Sequence, residues 1–247
     1  INLKTKPDVI VFDLGLSTFQ LQDYSRGFSF NATDKIDMRM GLSDTSAEKV
    51  INTLDEHSLK LVIKILGEEQ EANRIVKNII KVRQIKKIDT VTELVKIIES
   101  SKKKNFNKKI NVCTKTFQAL RIFVNKETSE LMEGLIKATQ LIKKGGKIII
   151  ISFHSIEDKI VKYYFTNYSS NKSNPSRYMP SQNNIKNSFF EKYKNNFLTA
   201  SSKELIKNPP SRSAKLRQAV RTEQEFNYPK EFKEKFKKYT DIENVAT

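Results

Sequence analysis

Two stretches of this chain place polar, reactive side chains directly behind a run of apolar residues. In the first, Val9-Ile10-Val11-Phe12 runs into Asp13, with Gly15 two residues on and Ser17, Thr18 and Gln20 following. In the second, Lys147-Ile148-Ile149-Ile150-Ile151 runs into Ser152-Phe153-His154-Ser155. Runs of this kind suit strands buried on both faces, as in a parallel sheet. Open α/β sheets bind ligands outside the carboxyl ends of their strands, where both polar groups would lie. Gly15 lets the backbone turn sharply or approach a ligand closely. Ser17, Thr18 and Gln20 add side-chain hydrogen bonds just past the strand. The plainer alternative for the first stretch is a strand followed by a helix N-cap, with Asp13 or Ser17 as the cap.

Other chemistries find no support. His57 and His154 are the only histidines and Cys113 the only cysteine, so zinc-ligand spacing is absent and no metal site is expected. Neither a P-loop nor a GxSxG pattern occurs, and the adjacent pair His154-Ser155 does not make a hydrolytic triad. The chemistry-bearing candidates are therefore Asp13, Ser152, His154 and Ser155, on two strand ends expected to face one crevice.

The elements that must position them read as follows. Between the two strands, residues 46–100 carry helical spacing, with Ile75, Val76, Ile79, Ile80 and Val82 set among Arg74, Lys77, Lys81 and Arg83. Asp89 to Glu93 resembles a capped helix start, carried on by Leu94, Val95, Ile97 and Ile98. The run Ser100–Lys109, with Lys102, Lys103 and Lys104, is a basic loop suited to phosphate contact or simply to solvent. Thr116–Asn125 and Glu127–Ile142 read as helices, the second closed by Lys143-Lys144 and Gly145-Gly146. Glu157–Tyr168 is a further helix, and the order helix, strand, polar turn, helix demands βαβ architecture. Residues 169–210 form a long polar excursion. Leu216, Gln218 and Val220 alternate as an antiparallel edge strand, and 224–247 are a charged tail. In the loop Arg26-Gly27-Phe28-Ser29-Phe30, two aromatics beside an arginine can stack on a base or plug back into the core.

Composition narrows the class. The 247 residues allow one large or two smaller domains, and 38% are hydrophobic, with no apolar run of the ~20 residues a spanning helix needs. A lone cysteine fits a reducing cytosol. The net charge is +17, from 45 Lys+Arg against 28 Asp+Glu, which favours a polyanionic partner, nucleic acid first. An AT-rich genome inflates Lys, Asn and Ile as well, so distribution says more than total. The first sixty residues, with Asp8, Asp13, Asp23, Asp34, Asp37, Asp44, Glu48, Asp55 and Glu56, are not basic. A small cationic ligand suits that segment and a polyanion the remainder.

Five blocks, DLGLSTFQLQDYSRGFSF, DMRM, TFQALRIFVN, GGKIIIISFHSIEDKIVK and NPPSRSAKLR, resemble the ribosomal RNA small subunit methyltransferase H family, also called MraW, in the same order and over nearly the whole chain. The resemblance implies an enzyme that transfers a methyl group from S-adenosylmethionine to the N4 amine of a cytidine in the decoding region of 16S rRNA. It implies a cytoplasmic protein acting on the small ribosomal subunit, without membrane or metal. The implied fold is an α/β, Rossmann-like methyltransferase domain over residues 1–45 and 114–247, interrupted by an all-helical domain at 46–113 for substrate recognition.

Residue by residue, Asp13 and Gln20 match the family's cofactor-contacting Asp and Gln in its DLGxSxxQ block. Candidate RNA contacts are Arg26, Phe28, Phe30 and Arg39, the loop lysines Lys102, Lys103 and Lys104, and Arg121, Arg212 and Lys215. Val112-Cys113 departs from the family's usual Pro-Ala, and the stretch after DMRM is altered and short. The family's glycine-rich loop and acidic ribose-binding residue fall upstream of Ile1. The domain is therefore expected to be N-terminally incomplete, and residues 1–247 alone to bind cofactor poorly and transfer no methyl group. The competing class is a non-catalytic RNA-binding protein on a degenerate methyltransferase fold.

Overall fold

A computed structural model describes residues 5–41, 43–102, 111–170 and 188–245. In chain order the elements are β1 (Val9–Asp13), α1 (Thr18–Gln22), α2 (Ala47–Thr53), α3 (Glu56–Leu61), α4 (Ala72–Arg83), α5 (Val91–Ser101), α6 (Thr114–Asn125), α7 (Glu127–Leu141), β2 (Lys147–Ser152), α8 (Ser155–Asn167), β3 (Leu198–Thr199), α9 (Ser202–Lys207), β4 (Lys215–Val220) and α10 (Lys230–Glu243). The chain packs into two compact units. One comprises residues 1–15 and 130–236, the other 16–129 and 237–247. Among the described residues no helix is long and apolar enough to cross a membrane.

The first unit is built on a four-stranded sheet of order β1-β2-β4-β3. β1 and β2 run parallel, with Val9 opposite Lys147 and Asp13 opposite Ile151. β4 lies antiparallel to β2, with Ser152 opposite Lys215, and β3 antiparallel to β4. Alternation sorts the side chains. Ile148, Ile150 and Ser152 point to the face that is buried, and α8 presents Ile156, Ile160, Val161, Tyr164 and Phe165 as its own buried stripe. Behind α8 stands an aromatic cluster, with Tyr164 4.6 Å from Phe232 and Phe165 5.1 Å from Phe190, ring centre to ring centre. The buried Tyr164 hydroxyl is satisfied by Thr139 Oγ1 at 2.9 Å. α7 closes against β1 through a glycine, since a Cβ on Gly134 would stand 3.0 Å from Phe12 Cε1.

The opposite face of β1 corrects the expectation of a strand buried on both sides. Val9 is 48% and Val11 59% exposed. β1 ends the sheet beside β2, and among the described residues its Val9 and Val11 face stays open to solvent.

The second unit is helical around Ile51, Leu59, Ile63, Ile75, Ile79, Leu94, Ile98 and Leu120, all fully buried. Local signals start its helices. Ser46 caps α2, Asp55 caps α3, and Thr90 with Glu93 forms a reciprocal capping box on α5. α3 runs on as a wider π turn over Val62–Leu66 and stops at Gly67. The C-terminal end of α10 inserts Glu243, only 2% exposed, onto the start of α7. There it accepts hydrogen bonds from the Thr128 and Ser129 amides at 2.9 and 3.0 Å.

Candidate active site

In the first unit the two chemistry-bearing strand ends are neighbours. Asp13 and Ile151 are partners in the parallel register, and the Leu14 amide donates to the Ile151 carbonyl at 3.1 Å. The chain then leaves β1 through Gly15 at φ +89°, a conformation that a side-chain-bearing residue adopts only with strain. Asp13 is exposed there. Ser152 ends β2 one residue beyond Ile151, so alternation turns it to the opposite face. It is 2% exposed, and its hydroxyl donates to the Lys215 carbonyl at 3.3 Å. The strand ends are shared, as one crevice requires, but the Asp13 and Ser152 side chains diverge across the sheet.

His154 and Ser155 turn the chain into α8. His154 is the N-cap, and Glu157 closes a capping box by accepting the Phe153 and His154 amides at 2.8 and 3.2 Å. His154 Nε2 lies 3.1 Å from Glu157 Oε1 without hydrogen-bonding to it. The imidazole is thus held beside a buried carboxylate, while Ser155 is exposed.

Asp158, in the first turn of α8, gathers two cations from β4. Its carboxylate accepts Arg217 Nε at 2.7 Å and Lys215 Nζ at 3.1 Å. Burial works against the ionised carboxyl, but the bonds from Arg217 and Lys215 outweigh it and hold its pKa below the ordinary value. Arg212, in the 3-10 turn Pro209–Ser213 just before β4, is exposed.

In the second unit Gln20 closes a capping box with Ser17 at the start of α1. The Ser17 amide donates to Gln20 Oε1 at 2.9 Å, and the Gln20 amide to Ser17 Oγ at 3.2 Å. Of the two cap candidates read from the sequence, Ser17 is the cap. Arg26 donates to the Arg39 carbonyl at 2.6 Å, with its guanidinium 5.3 Å from the Phe28 ring centre. Phe28 is 6% exposed, so its ring belongs to the core, the second of the two roles its loop allowed. Phe30 is half-buried and stands edge-on to Phe117 at 6.2 Å.

The DMRM stretch belongs to no helix or strand. Within it Met38 lies in the left-handed region at φ 59°. Asp37 grips Arg39 at 2.5 and 2.9 Å, and hydrogen bonding to that guanidinium keeps the Asp37 carboxyl below its usual range. Asn125 holds the segment from α6, accepting the Met40 amide at 2.6 Å and donating to the Met38 carbonyl at 2.8 Å.

Two further candidate RNA contacts are turned to internal partners. Arg121 is bound at both ends of its fork by Glu127, at 2.7 and 2.9 Å. Lys102 is 7% exposed and sits 2.5 Å from Glu69, itself 5% exposed. The phosphate contact expected of Lys102 is therefore corrected: its ammonium satisfies a buried carboxylate. Lys103 and Lys104 lie outside the described residues.

Residues 2–222 match the sequence profile of the MraW methylase family. The chain belongs to that family. It is 41% identical over 221 residues to a protein of Bartonella bacilliformis named ribosomal RNA small subunit methyltransferase H, covering 90% of this chain and 66% of the relative. Proteins of the same name from Rickettsia typhi and Ehrlichia canis are 43% and 41% identical, over 87% and 85% of the chain and 70% and 68% of theirs. The chain spans about two thirds of the length of the first of these relatives.

On this MraW chain, a mixed α/β unit with a four-stranded sheet fits a methyltransferase fold. Asp13 sets an exposed carboxylate at the carboxyl edge of its parallel strand pair. Sequence reasoning missed Asn125 and the Asp158–Arg217 pair. For Asn125 the one available signal was a polar residue at the end of an apolar helix.

Proposed function

We propose that this chain serves an S-adenosylmethionine-dependent rRNA methyltransferase that methylates the N4 amine of a cytidine in the decoding region of 16S rRNA. Asp13, placed beside Ile151 at the carboxyl edge of the sheet in a member of the MraW family, carries the reading. Residues 1–45 and 114–247 would be the methyltransferase domain and 46–113 an inserted helical domain for the RNA. The names of the relatives and the +17 charge support an RNA partner within the small subunit.

S-adenosylmethionine, when bound, supplies the electrophilic methyl on a cationic sulfonium. The chain's part is electrostatic and geometric. Asp13 sets a carboxylate where a cation is to be held, and Gln20 contributes a polar contact from the DLGLSTFQ block. The N4 lone pair of cytosine is delocalised into the ring and is a poor nucleophile, so alignment and acceptors for its N–H groups carry the acceleration. Of the candidates Asp13, Ser152, His154 and Ser155, the exposed Asp13 and Ser155 are the acceptors best suited to that work, while the His154 imidazole caps α8 with its Nε2 buried beside Glu157. Ser152 is also less suited, since its hydroxyl is buried on Lys215. The target base has to leave its stack to reach such an edge. Among the candidate RNA contacts, Arg212 is exposed, and Lys215, Arg26, Phe30 and Arg39 are each partly exposed.

Nucleoside mass spectrometry of small-subunit rRNA, from cells with and without the gene, tests the reading. Loss of N4-methylcytidine on deletion is expected. An unchanged level would leave a non-catalytic RNA-binding protein as the better account.

A further inference from the structure

We propose that Phe197 is a stacking platform for a base of the single-stranded RNA that flanks the target nucleotide, with Lys192 and Lys194 contacting the adjoining phosphates. This rests on the rRNA reading above and adds a second point of contact outside the reaction edge. Phe197 is 46% exposed although aromatic, and the next residue, Leu198, is 67% exposed. The ring is nonetheless held in place. The Arg217 guanidinium lies 5.1 Å and Lys215 Nζ 5.3 Å from its centre. Arg217 is only 3% exposed, so it lies on the protein side of the ring. It is fixed there by Asp158 at 2.7 Å and by the Tyr193 hydroxyl at 3.0 Å. Asp158 belongs to the first turn of α8, three residues after Ser155, so the platform is tied to the helix start that carries His154 and Ser155.

The surroundings have the charge and room that a nucleic acid strand needs. Between 191 and 215 the sequence carries the cations Lys192, Lys194, Lys203, Lys207, Arg212 and Lys215 against only two acidic residues, Glu191 and Glu204, and Lys215 is paired with Asp158 of α8. All but Lys215 are exposed. Phe197 walls a groove of about 390 Å³ whose charged lining is Lys147, Lys192 and Lys194 against Glu191, over an apolar floor that includes Leu216 and Val220. That volume falls within the roughly 300–1,000 Å³ of sites that hold small ligands. An exposed, fixed aromatic ring in a basic groove is how single strands are bound without base-specific hydrogen bonds. A base stacked on such a ring contributes roughly 1–3 kcal/mol, about five- to hundredfold in affinity.

Stacking and phosphate contact leave different signatures, which the test exploits. The probe is a single-stranded oligoribonucleotide copying the decoding region of small-subunit rRNA, titrated against the full chain over a series of salt concentrations. Phe197→Leu should bind about five- to hundredfold more weakly with an unchanged salt slope, and Phe197→Trp should bind like the wild type. Lys192→Gln with Lys194→Gln should flatten the slope by roughly 0.7 per lysine. A 4-thiouridine version of the probe should crosslink to the peptide containing Phe197, a measurement that needs no variant. Wild-type affinity in Phe197→Leu, equal losses in the Leu and Trp variants, or a crosslink absent from that peptide would overturn the platform alone. A wild-type chain with no affinity for the probe would overturn the rRNA reading, and the platform with it.

Discussion

Asp13 stands directly across a parallel strand pair from Ile151, one residue short of the point where β2 turns Ser152 into the core. That register puts an exposed carboxylate and the start of the SFHS turn at one edge while separating the Asp13 and Ser152 side chains by the thickness of the sheet. Asp13 is therefore the side chain of the pair available to a ligand. Asp13→Ala should weaken S-adenosylmethionine binding by roughly ten- to hundredfold, the worth of a hydrogen bond to a charged group. RNA affinity should be unchanged or slightly higher, because a negative charge is removed. Calorimetry with each ligand on the full-length natural protein separates the two; equal losses would refute the assignment.

Asn125 spans the DMRM segment with three bonds, to the Met40 amide, the Met38 carbonyl and the Arg121 carbonyl. Asn125→Ala leaves those groups to find new partners and should cost about 2 kcal/mol of stability in urea unfolding. Asn125→Asp keeps the acceptor but turns a carboxylate toward two carbonyls, and should be no better at neutral pH. A wild-type unfolding midpoint in either variant would show that the segment holds itself.

Lys102 and Glu69 form a pair in which both side chains are almost wholly buried. Lys102→Met leaves the carboxylate uncompensated and should destabilise by roughly 3–5 kcal/mol, whereas Lys102→Met with Glu69→Leu should recover most of the loss. Neither change should alter the salt dependence of RNA binding. A flattened slope in a variant that still folds would return Lys102 to the phosphate contacts.

Much of this was legible in the sequence, for identifiable reasons. Thr90 and Glu93 announced their capping box because caps are local, and the βαβ order followed from two β-branched runs and a glycine helix stop. The burial of Phe28 and Lys102 and the exposure of Val11 were not legible, because each depends on a partner far along the chain or on the strand's place in the sheet. A lysine run looks the same whether one of its members faces Glu69 or water. Arg217 and Phe197 read as an unremarkable strand residue and a loop aromatic; only the fold brings Arg217 onto Asp158 and the Phe197 ring over its guanidinium.

Glu93 offers a pH signature for the helical unit. Lys86, at 2.7 Å, and the amides of Asp89 and Thr90 lower its pKa from 4.5 to about 2. A carboxyl whose folded pKa is depressed stabilises fully above its unfolded value and loses that contribution as pH falls through the folded one. The advantage of wild type over Glu93→Gln in urea unfolding should thus hold above pH 4.5 and shrink steadily toward pH 2. An advantage independent of pH would mean that the cap, and not the charge, is responsible.

The central claim is that the edge carrying Asp13 serves methyl transfer to one cytidine amine. Its most direct test is mass spectrometry of ribonuclease fragments from small-subunit rRNA, in cells whose only copy of the full-length natural gene is wild type or Asp13→Ala. The account predicts an N4-methylated cytidine at a single decoding-region position in the wild type. In the variant, at equal protein level, that methylation should fall about tenfold or more, in line with the loss of one charge-assisted contact. Undiminished N4 methylation in the variant, or a methyl group found on a ring carbon or a ribose hydroxyl instead, would contradict it.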